Sequence, residues 1–147
     1  MIKTAKSFIK KSDTVTVITP PKITTNKLWL ENQGVEITGE KVILFKKVSK
    51  DFKTQENTKN ETIWTIGNLI EHGNYNPKTQ ECGEGKFHAC SRPYFCDEFR
   101  NLKDDVYIAI EINVDDLYVW SAAMYPHKIA FRASKVLYQC DRRGNKI

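Results

Sequence analysis

Residues 81–99 read ECGEGKFHACSRPYFCDEF and hold three of the chain's four cysteines, Cys82, Cys90 and Cys96, together with His88, one of three histidines. Thiolate and imidazole are the preferred ligands of zinc, and four of them complete a tetrahedral structural site. His88 and Cys90 lie two apart, so an extended backbone places both on one face. The spacing C-x5-H-x-C-x5-C departs from the tight cysteine pairs of zinc knuckles. Zinc held by Cys82, His88, Cys90 and Cys96 is therefore the secondary alternative to thiols buried as small hydrophobes. Nucleophilic chemistry is a further option, since Cys96 near a helix N-terminus would be acidified. Cys90, however, could use His88 as its base only off a regular strand, and no third, orienting group is marked. The turn CGEG at 82–85 supplies backbone freedom but lacks both the GK[ST] ending and the GxGxxG form of phosphate loops.

A fourth constellation is made of polar groups at strand ends. The strand FHACS ends at Ser91 and Arg92, a later strand bears Glu111, and the last carries Arg132. With an aromatic helix covering them, such groups form a cleft for a charged small ligand. Arginine holds phosphate in a planar fork, and a glutamate on a strand can hold a ribose hydroxyl or move a proton. The competing reading is a solvated sheet face with ordinary cross-strand ion pairs.

The elements that must position these groups are strands. VYIAIEINV (106–114) alternates, with Val106, Ile108, Ile110, Ile112 and Val114 on one side and Glu111 on the other. KVILFKKV (41–48) is apolar and β-branched, as a buried strand requires. TIWTIGNLI (62–70) bends at Gly67, and KIAFRASKVLYQC (128–140) is one long strand or two short ones. SKDFKTQENTKNE (49–61) is polar and reads as a mobile loop. Pro93 opens a short helix that sets Phe95, Phe99 and Leu102 at helical spacing, and Asp115 or Asp116 caps a second helical turn, DDLYVW. Residues 1–40, with a short strand TVTVIT (14–19) ended by Pro20 and Pro21, read as an N-terminal arm. Residues 41–147 read as a single α+β domain with a mostly antiparallel sheet, split in one variant, and one or two short helices.

A chain of 147 residues, 40% hydrophobic and 28% charged, is globular in composition and long enough for a real core. It has no apolar stretch of membrane-spanning length and no signal-peptide pattern, so the expected compartment is a reducing cytoplasm, with no membrane partner. Net charge is +5. That balance suits contact with nucleic acid, and it equally suits a solvated lysine-rich surface.

The order FKKV (45–48), W-x-I-G (64–67) and E-C-G-x-G-x-x-H-A-C (81–90), continued by VYIAIEINVDDL and KIAFRASKVL, resembles a small domain of bacterial and phage proteins of uncharacterised function. The resemblance covers roughly residues 41–140 and extends distantly to the ADP-ribosyltransferase-like group, which binds NAD or its ADP-ribose part in a split sheet. It implies an ADP-ribosyltransferase-like fold, NAD as the possible cofactor, and catalytic roles for Glu111 and Ser91. Tyr94 would be the stacking ring, and Arg92, Arg132, Lys46 and His88 would complete the ligand-binding set. Two positions depart from the transferase pattern. The first strand offers Lys46 or Lys47 in place of His or Arg, and the residue two before Glu111 is Ala109 rather than a second glutamate.

The function expected on these grounds is that of a protein encoded by a phage or mobile element that binds NAD or an ADP-ribose-type nucleotide. It would act as a host-takeover or anti-defence factor in the host cytoplasm, with transferase activity toward a host protein left open. The alternative is a non-enzymatic, virion-associated module that binds protein or nucleic acid through its basic surface and arm.

Overall fold

The computed structural model describes residues 22–147. The strand expected at 14–19 lies outside the described residues. Lys41–Val48 (β1) and Val106–Asn113 (β6) form the centre of the sheet and pair antiparallel along their whole length, Val42 opposite Ile112 and Leu44 opposite Ile110. Alternation does what it should: Val42, Leu44, Ile108, Ile110 and Ile112 are buried, and Ile43 and Glu111 face outward. Around this pair run Lys53–Thr54 (β2), Thr62–Ile63 (β3), Leu69–Glu71 (β4), Phe87–Cys90 (β5), Leu117–Tyr118 (β7), Lys128–Phe131 (β8) and Ala133–Cys140 (β9). Seven strands make one sheet in the order β4-β9-β6-β1-β5-β8-β7, and every ladder is antiparallel. With a single short α-helix, Asn26–Asn32 (α1), and two 3-10 helices at Pro93–Glu98 and Val114–Asp116, this is a mostly antiparallel α+β architecture. Among the described residues, no helix is long and apolar enough to cross a membrane.

The strand order forces the sheet to curl. Only Arg132 separates β8 from β9 in the chain, yet β6, β1 and β5 lie between them in the sheet. In a flat sheet those two strands would stand about 19 Å apart, whereas the two chain steps joining them reach less than about 8 Å. The two edges therefore come round to meet. Arg132 marks the seam: its Nε donates to Asp116 just before β7 and its Nη1 to Glu71 in β4, each at 2.9 Å. The inside of the curl holds the core, with Trp64, Phe131, Leu44, Ile108, Ile110 and Val136 fully buried.

On its other side the sheet is pinched. β1 and β5 pair at one position only, Phe45 opposite Cys90. Beyond that rung the strands part and leave a gap.

Several local expectations need correction. The polar segment 49–61 includes one strand of a hairpin: β2 pairs with β3, and the connecting loop carries Gln55 and Asn57 at positive φ. The helix after Pro93 is a 3-10 helix that stops at Glu98, so Phe99 and Leu102 fall beyond it and stay exposed. Asn113, not Asp115 or Asp116, holds the cap position of the second, and it makes no side-chain cap bond. TIWTIGNLI is two short strands broken at Gly67, whose φ of +92° suits glycine. Residues 22–40 of the expected arm agree with a lead-in that packs on the body, since Trp29 and Leu30 of α1 belong to the same core cluster as β1 and β6.

Candidate anion-binding cleft

The gap between β1 and β5 opens into a cavity of about 270 Å³ that also takes in Thr54, Gln55, Cys82, Phe99, Arg100 and Lys128. A larger cavity of about 850 Å³ adjoins it, sharing Thr54, Gln55, Cys82, Lys86, Phe87 and His88. The tight turn beside them depends on Gly85: its φ is +95°, and a Cβ there would stand 2.8 Å from the Asn76 carbonyl oxygen.

Lys46 shows why the gap is stable. Where the β1–β5 ladder stops, the His88 carbonyl of β5 loses its backbone donor, and a buried carbonyl without a partner is costly. Lys46 Nζ fills that role, donating to it at 2.6 Å. The same nitrogen lies 4.9 Å from the Trp64 ring centre and 5.9 Å from that of Phe131. Burial lowers its pKa from the ordinary lysine value to about 8.

Lys46 is half-buried; two further lysines that face the cleft, Lys86 and Lys128, are buried. Lys86 Nζ donates to the Glu84 carbonyl at 3.2 Å, and burial, with Lys128 adding, lowers its pKa. Lys128 Nζ sits 3.0 Å from Cys82 Sγ and 4.7 Å from the ring centres of both Phe99 and Tyr125. Two other cations at the wall are already neutralised. Lys47 is paired with Asp97 at 2.7 Å, and Arg100 is paired with Glu56 and Asp105 at 2.6 and 3.0 Å. No Asp or Glu lines the smaller cavity. His88 adds no charge, since burial and the nearby Lys128 hold its pKa at about 3. Its Nε2–H donates to the Glu81 carbonyl at 2.8 Å. The cleft is thus a positive, carboxylate-free hollow with an apolar floor of Phe45, Phe87 and Ala89.

Of the residues singled out from sequence, Lys46 and His88 are brought together here, with Cys82, Cys90 and Cys96 around them. The rest are placed elsewhere. Glu111 sits on the outer face of the sheet, 3.7 Å from Lys41 and opposite Ile43 and Lys135, and lines neither cavity. This is the solvated cross-strand pair. Ser91 is buried and donates to Gln33 Oε1 at 2.6 Å, while Arg92 donates to the Ser91 and Gln33 carbonyls at 2.7 and 3.4 Å. Both hold the end of α1 in place. Tyr94 packs on Phe95 and under the Arg142 guanidinium. Arg132 is committed to the seam.

The zinc arrangement does not form. Among the described residues no three His, Cys, Asp or Glu side chains gather to hold a metal ion. The reason is local: His88 Nε2 is spent on Glu81, Cys82 faces Lys128, and the Cys96 thiol donates to the Phe45 carbonyl at 3.5 Å. Its hydrogen bond with Cys90, and then burial, raise the Cys96 pKa well above the usual thiol value, the opposite of an activated nucleophile.

Sequence reasoning missed Lys86 and Lys128. The available signal was a lysine flanking each short apolar strand, KFHAC and KIAF, a pattern shared with ordinary solvated strand ends. Comparison with protein-family models, curated proteins and solved structures gives no match for this chain.

Proposed function

We propose that the protein binds a phosphate-bearing ligand of the nucleotide class, such as NAD or an ADP-ribose-type molecule, in the β1–β5 cleft. One observation carries the reading: Lys46, Lys86 and Lys128 converge on a cavity whose wall has no carboxylate. Buried cations without counter-ions are costly, and an anionic ligand would relieve that cost. The exposed Phe99 ring at the wall and the adjoining larger cavity offer room and a face for a base. The role that fits is binding. Glu111, the carboxylate expected to stabilise an oxocarbenium-like centre, lies outside both cavities; no carboxylate lines the smaller one, and Glu61, Glu71 and Glu84 line the larger.

Thermal unfolding in the presence of ADP, ADP-ribose, NAD, inorganic phosphate and a short RNA tests this. A ligand at a hundred times its Kd adds about 2.7 kcal/mol to stability. The expected result is stabilisation by the phosphate-bearing small molecules. Lys128→Met should weaken their binding by about tenfold or more, the value of one charge-assisted hydrogen bond. No stabilisation by any of them, or affinity unchanged in Lys128→Met, overturns the reading. Stabilisation by RNA alone would point instead to a nucleic-acid module.

A further inference from the structure

We propose that Lys46 is a nucleophilic amine that condenses with the aldehyde of a phosphate-bearing carbonyl compound held in this cleft. The inference rests on the anion-binding reading for the phosphate and adds the chemistry of the second group. Lysine amines attack carbonyls only as the free base, and proteins favour that form by desolvation and by neighbouring cations. Both conditions are met at Lys46. Lys46 lines the cavity, its nitrogen stands over the rings of the core residues Trp64 and Phe131, and its hydrogen-bond partner is a carbonyl, which accepts an N–H and leaves the nitrogen lone pair unused. Among the described residues it has no carboxylate partner.

The charged and titratable groups that face it are Lys128 and Arg100, which oppose its protonation, and the Cys96 and Cys90 thiols, which favour it. Burial is the largest effect, Arg100 and Lys128 add to it, and together they outweigh the two thiols. With a pKa of about 8, roughly a quarter of the amine is free near pH 7.5, against about one part in a thousand for an ordinary lysine.

The reaction balances without any redox partner. Nζ attacks the carbonyl carbon to give a carbinolamine. The C–O bond then breaks, and the oxygen leaves as water with the two amine hydrogens, giving the imine. Lys86 and Lys128 remain to hold the phosphate, each on the same cavity wall.

Pyridoxal 5′-phosphate and pyridoxal are suitable probes, because they share one aldehyde and differ in the phosphate. Full-length protein treated near pH 7.5, reduced with borohydride and mapped by peptide mass spectrometry should carry its adduct on Lys46. Pyridoxal 5′-phosphate should label at least about tenfold faster than pyridoxal, and ADP should slow it. Lys46→Arg keeps the cation but cannot form an imine, so it should lose this adduct, while its cooperative thermal unfolding without ligand shows that the loss is not a failure to fold. Absence of label on Lys46, or label spread evenly over the surface lysines, overturns the inference. Equal labelling of Lys46 by both probes would support the nucleophile and instead remove the phosphate-binding reading beneath it.

Discussion

His88 is enclosed by Lys46, Lys86 and Lys128 as well as by protein, so a proton on its ring would meet both desolvation and three like charges. Its pKa of about 3 in the fold lies below the value near 6.5 expected in the unfolded chain. As pH falls from about 6.5 toward 3, the unfolded chain takes up a proton that the native state refuses. Stability should therefore drop by up to about 1.4 kcal/mol per pH unit. His72, also lowered by burial, works in the same direction. Asp97 titrates in a lower window. Burial pushes its carboxyl up, but donation from Lys47, Tyr107 and Arg142 outweighs this and holds it at about 2. Its contribution, about 2 kcal/mol, is complete above pH 4 and disappears between about 4 and 2. Denaturant unfolding at stepped pH should thus show stability declining from pH 6.5 downward. His88→Gln should flatten the upper part, and Asp97→Asn should remove the lower part while lowering stability at neutral pH. A wild-type profile level between pH 6.5 and 4.5 would contradict the account of His88.

α1 is short, yet it is held at many points. Thr25 Oγ1 accepts from the Leu28 amide as its N-cap. The Trp29 indole is 3% exposed and donates to the Pro126 carbonyl at 2.9 Å. Asn26 donates to the Val114 and Leu117 carbonyls at 3.1 and 2.9 Å and accepts from the Val119 amide at 3.2 Å. Trp29→Ala should cost about 3–5 kcal/mol, measured as a shift in the denaturant midpoint; a cost below about 1 kcal/mol would show that residues 22–40 are dispensable to the body. The sequence made β1 and β6 plain because a period of two survives wherever one face is buried and the other wet. α1 was harder to see, since NKLWLEN spans only two turns and its tertiary anchors, Pro126 and Val114, are some ninety residues away. The cleft was harder still. Its residues were half visible through the cysteine and histidine spacing, but the gap itself depends on where the β1–β5 ladder stops, and no residue type announces a missing rung. Glu111 and Arg132 misled for a related reason: charge on a strand looks alike whether it faces a ligand, a neighbouring strand or a seam.

Taken whole, the curled sheet has Arg132 at the place where its edges come together. Arg132 joins β8 to β9 through its backbone, accepts from the His72 amide through its carbonyl, and ties Asp116 to Glu71 through its side chain. Arg132→Met should leave the β1–β6 centre intact and loosen the rim. In hydrogen–deuterium exchange, the amides of Gly67, His72 and β4 should exchange at least several-fold faster, while those of Ile108 to Ile112 are unchanged; uniform behaviour across the sheet would show that the edges close without it. Opposite this seam, the halves of the sheet meet at a single backbone pair, and the next link across the opening is the Lys46 ammonium on the His88 carbonyl. Imine formation at that nitrogen would leave it no N–H for the His88 carbonyl, so latch and bait would be the same atom, and how wide the mouth stands and whether it is filled would be two readings of one bond.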